Sequence, residues 1–98
     1  LGRNQARDRS APNAGKDRRA SAKGREDARA ARSAVAEAEQ RIVRLQGEIA
    51  AIDEALIAGA SGPSAAQLMQ RRSAIEADLA AAERAWLEAS EKLERHAA

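Results

Sequence analysis

The sequence predicts an all-α protein: an antiparallel two-helix coiled-coil hairpin preceded by a disordered basic arm. Three observations carry this. Apolar side chains recur at alternating steps of three and four along Val35, Ala38, Ile42, Leu45, Ile49, Ile52 and Leu56. That spacing keeps one stripe of a helix facing a partner helix. A second stripe follows at Leu68, Ile75, Leu79, Ala82, Trp86, Ala89 and Leu93, and the segment between the two, Gly59-Ala60-Ser61-Gly62-Pro63, has the composition of a turn.

The arm comes first. Residues 1–23 show no apolar periodicity and contain Gly2, Pro12 and Gly15. A segment that buries so little apolar surface does not offset its ordering entropy, so residues 1–25 are expected to form a disordered basic linker. Between Leu1 and Arg25 eight basic residues stand against Asp8 and Asp17, a net +6, whereas the whole chain carries only +2 and the remainder therefore −4. A like-charged block of this kind suits phosphate groups. With no aromatic residue in the arm, base stacking is not available, and contacts to a nucleic acid would be sequence-tolerant backbone contacts. Arg18, Arg19, Lys23 and Arg25 are the candidate nucleic-acid-binding residues of the arm, and Arg71 and Arg72, near the hairpin tip, are further candidates.

The first helix is expected from about 26 to 58. Glu26 and Asp27 then occupy its first turn, where acids complement the helix dipole. Gly59 fits the left-handed position that ends a helix, and Pro63 breaks the chain's helical run. The loop is expected over 59–64. Ser64 and Gln67 have capping-box spacing, so the second helix is expected from about 65 to 95.

Folding the stripes together with Leu56 opposite Leu68 fixes the other layers. Ile52 meets Arg72, Ile49 meets Ile75, Leu45 meets Leu79, Ile42 meets Ala82, Ala38 meets Trp86, Val35 meets Ala89 and Ala31 meets Leu93. A large side chain faces Ala in four successive layers, which keeps their volumes fillable. In this register Arg72 lays its stem on Ile52 and sends its head toward Asp53 or Glu76. Trp86 is expected in the core, its indole N–H at the seam's edge, and Leu87 points outward. A two-helix seam buries these side chains only partly, so the isolated hairpin is expected to be marginally stable and to work attached to something or bound.

The sequence offers little chemistry. There is no Cys and one His, His96, so neither a disulfide nor a metal site is expected. No carboxylate pair is backed by a pocket and no phosphate-cradling Gly-rich loop occurs; this chain is not expected to be an enzyme. No run approaches the roughly 20 apolar residues of a membrane span. No membrane partner and a cytoplasmic location are expected. The chain opens on Leu with no apolar leader behind it, and is read as a fragment of a longer protein.

From Lys23 onward the sequence resembles the C-terminal coiled-coil domain of ABC-F ATPases, especially the Uup-like members. The resemblance is carried in the first helix by Arg41-Ile42-x-x-Leu45-x-x-Glu48-Ile49-x-x-Ile52-Asp53-x-x-Leu56. In the second it is carried by Ile75-Glu76-x-x-Leu79-x-x-Ala82-Glu83-Arg84-x-Trp86-Leu87-Glu88 and by Ser90-Glu91-x-Leu93-Glu94. It departs from the family in two places: Lys23-Gly24-Arg25-Glu26 stands where an aromatic-containing segment is frequent, and the loop lacks an Asp-Pro-aromatic element. The resemblance implies an accessory arm of an ATPase acting on ribosomes or branched DNA. Its partners would be DNA or ribosomal RNA and the ATP-binding cassettes of the same parent chain. ATP and Mg would be bound upstream, with no cofactor in this chain. The alternative reading is a structural or protein-interaction coiled coil with no nucleic-acid role.

Overall fold

The computed structural model describes residues 2–97, with side chains described for residues 18–96. It contains two helices, α1 (Gly2–Ile57) and α2 (Gly62–Ala97), packed against each other as a hairpin. The two helices form a rod measuring 88 × 15 × 14 Å.

The heptad reading of the seam holds. Ala28, Ala31, Ala38, Leu45 and Ile52 of α1 are buried, as are Ile75, Ala82 and Ala89 of α2. Leu45, Ile52, Ile75 and Ala82 form one apolar cluster, and Ile42, Ile49, Leu56, Leu68 and Leu79 pack around it. Alternating steps of three and four bring these residues to one stripe, and burying the two stripes against each other is the main force holding the rods together.

Two cross-helix residue pairs, joined by three hydrogen bonds, fix the register. The guanidinium of Arg72 donates from Nε to Asp53 Oδ1 at 2.8 Å and from Nη2 to Asp53 Oδ2 at 3.2 Å. The indole Nε1 of Trp86 donates to Glu39 Oε1 at 3.1 Å. Asp53 and Glu39 each lie one residue beyond the expected seam partners, Ile52 and Ala38, and the two pairs stand two heptads apart on both helices. A one-heptad slip would break both.

Three expectations are corrected. The first helix begins at Gly2, not near 26, so Glu26 and Asp27 lie in its interior and its first turn holds no acid. What begins near 26 is pairing: Ala28 is the first buried residue of the described side chains. Residues 18–25 of the arm, expected as disordered linker, continue α1 as helix, because adding Ala and Arg to a nucleated helix costs little. The side chains of residues 1–17 lie outside the described residues. The second helix begins at Gly62 rather than about 65, so Ser64 lies inside it instead of capping it. Pro63 is tolerated there because first-turn N–H groups have no intrahelical acceptor in any case. The reversal rests on Gly59 and Gly62, with φ of 109° and 61°, values that L side chains rarely adopt.

The third correction is Trp86, which remains 37% exposed rather than joining the core. Its layer pairs a large ring with Ala38 in a seam open to water on both sides, and the N–H edge turns outward to a carboxylate.

Arg72 behaves as the register requires. Besides Asp53 it donates from Nη1 to Glu76 one turn away. The hydrogen bonds from Arg72, aided by its charge, hold the Asp53 carboxyl below the usual carboxylate range against a smaller opposing effect of desolvation. A folded-state pKa below the unfolded one adds stability at neutral pH that is lost as pH falls through the folded value. Asp53→Asn should therefore lower the melting temperature at pH 7, and the gap to the parent should close in strong acid. A thermal melt followed by circular dichroism at both pH values checks this.

Candidate nucleic-acid interface

α2 ends beside the Ala28 region of α1, and α1 runs on past it. His96, near the end of α2, shares a cleft with Ser21, Gly24, Arg25, Ala28, Arg29 and Arg32. Upstream of that level α1 is a single helix without an apolar stripe. Its seam positions there are Gly24, Ser21 and Asp17, which explains why, among the described residues, no helix pairs with it.

At this end of α1 the cations fall in two stripes. Arg18, Arg25, Arg29 and Arg32 are spaced by seven, four and three, so they share one side of the helix. No acid lies on that stripe, and all four residues are exposed. Arg19 and Lys23, four apart, form the second stripe, which runs into Glu26 and Asp27 three and four residues on. Arg95 and His96 of α2 are exposed at the same end.

The arginine stripe is on the order of 21 Å long at 1.5 Å per residue; its Arg18–Arg25 half is carried by a lone helix about 10–12 Å across, and its Arg29–Arg32 half lies beside the end of α2. The major groove of duplex DNA admits a helix of that width, and the stripe also suits backbone phosphates approached from outside. Guanidinium groups bind phosphate oxygens bidentately.

The six residues expected from sequence separate into two groups. Arg18, Arg19, Lys23 and Arg25 are exposed on the overhang. Arg71 and Arg72 lie toward the tip, about 40 Å away along the rod. Arg71 is exposed there, but the Arg72 guanidinium is held by Asp53 and Glu76. Arg29, Arg32, Arg95 and His96 escaped the sequence reading. The spacing of the arginines was a signal for the first two; His96 joins only through the hairpin.

Among the described residues no cluster of His, Asp and Glu comes together as a metal-holding group, and no described helix is long and apolar enough to cross a membrane. No family model, curated protein or solved structure matches the chain.

Proposed function

We propose that this chain is a nucleic-acid-binding helical arm that grips the phosphate backbone without reading sequence. The observation that carries the proposal is the basic end of α1, where Arg18 and Arg25 on the unpaired overhang and Arg29 and Arg32 beside the end of α2 form a stripe with no acid on it. The hairpin is a stiff handle and the overhang is the contact surface. Branched DNA and ribosomal RNA are the proposed ligands, and an ABC-F ATPase of the Uup-like kind is the proposed parent. Support for the parent is the resemblance alone, above all Glu83-Arg84-Ala85-Trp86-Leu87-Glu88. In that setting the cassettes would hold ATP and Mg and this chain would position the nucleic acid.

Titrating the full chain against two duplexes of equal length and unrelated sequence, a branched DNA and a ribosomal RNA stem tests the proposal. The two duplexes should bind alike, because contacts to phosphate carry no sequence information. A preference of one duplex over the other by about tenfold or more, the scale of a base-specific contact, would argue for base readout and against this mode.

A further inference from the structure

The large apolar side chains left exposed on the described residues are not scattered. Val43 is 67% exposed, Ile57 86%, Met69 52%, Leu87 52% and Trp86 37%. Relative to the seam, all five fall on the side where Trp86 reaches Glu39 and Arg72 reaches Asp53. Along that side from Glu39 to the tip run four carboxylates: Glu39, Asp53, Glu76 and Glu83. The only cation among them is Arg72, already held by two. The face is apolar and acidic, and a cationic helix is its complement.

α1 carries such a helix. The row of every seventh residue that bears Glu39 and Asp53 continues upstream as Arg32, Arg25 and Arg18. The row changes sign between Arg32 and Glu39. We propose that two copies pair antiparallel through this face, the overhang of each lying along the acidic, apolar half of the other. Set antiparallel about a two-fold axis between Val35 and Ala36, Arg32 meets the partner's Glu39 and Arg25 meets the partner's Gln46. Arg18 meets the partner's Asp53. Both rows step by seven, so all three pairs form together and are repeated by the symmetry. A slip of one heptad either way sets Arg32 against Arg32 or Glu39 against Glu39 across the axis, so like charges select the register. Glu83 and Glu94 of the facing α2 helices repel in it, which makes the dimer weak and dependent on salt. Phosphate and the partner copy compete for Arg18 and Arg25; the dimer itself does not depend on the phosphate reading.

Sedimentation of the full chain tests the pairing. A dimer should form at about 50 mM salt and dissociate at about 500 mM, where the screening length falls from above 10 Å to under 5 Å. Arg32→Glu turns two symmetry-related attractions into repulsions and should weaken the dimer by about tenfold. Glu39→Arg should do the same, and the two together should restore affinity to within about threefold of the parent, since the pairs reform with signs exchanged. Both positions are exposed, and helicity by circular dichroism reports that each variant folds. The chain has no Cys, so Ala36→Cys, beside the axis, should link to its partner copy through a short bis-maleimide, while Ala51→Cys on the opposite side should not. A chain that stays monomeric at low salt, or a double variant no better than either single one, would overturn the proposal. So would a dimer indifferent to salt, which would place association on the alanine-floored groove of the other face, around Ala34 and Ala85.

Discussion

Leu45→Ala should abolish the cooperative unfolding of the hairpin. Leu45 is 5% exposed and belongs to the apolar cluster with Ile52, Ile75 and Ala82. Truncating a buried leucine costs about 2–5 kcal/mol, the transfer free energy of the lost atoms plus the cavity left behind. A chain of this size with one narrow seam has only a few kcal/mol of stability to lose. No described side chain is buried beyond 98%, so no deeper core compensates. Val43→Ala is the matched control: Val43 follows the seam residue Ile42 but is 67% exposed, and the change should stay within about 0.5 kcal/mol. Thermal melts followed at the helical circular dichroism band separate the two. A Leu45→Ala chain that melts as sharply and as high as the parent would mean that the seam does not hold the rods together.

The second large effect concerns binding. Replacing Arg18, Arg19, Lys23 and Arg25 by Ala should leave melting almost unchanged, because all four are exposed and the paired helices start downstream of them. Affinity for nucleic acid should fall on every ligand in parallel, and the slope of log K against log salt should drop by about 3.6 on duplex DNA if each cation neutralises one phosphate. Arg71→Ala, at the far end of the rod, should change little. Anisotropy titrations of the duplex and RNA ligands at several salt concentrations measure both quantities. Loss confined to one ligand would show that these side chains read more than charge.

The seam was legible in the sequence because it alone has to exclude water: a heptad stripe has no other cause, and matching large residues to Ala fixed its register within one residue. Asp53 and Glu76 were legible as the acids of Arg72 for the same reason. The start of α1 was not legible, since the overhang is held by backbone propensity and not by packing, and a helix without an apolar face leaves no periodic signal. The start of α2 was misplaced because Pro63 breaks a helix interior but fits a first turn, and local sequence does not tell the two apart. Trp86 was placed too deep because a seam one layer thick cannot enclose an indole. At the candidate interface the charge of the arm was plain from composition. The arrangement was not: Arg29 and Arg32 count as arm residues only once α2 is seen to end beside them, and His96 comes there through the fold.

The salt dependence of binding by the intact chain is the most direct test of an electrostatic arm. Affinity for a branched DNA, measured between about 50 and about 200 mM salt, should fall with a log–log slope of magnitude about 3.6 or more, reflecting release of counterions from at least four phosphates. A slope near zero, or no binding at the lower salt, would contradict it.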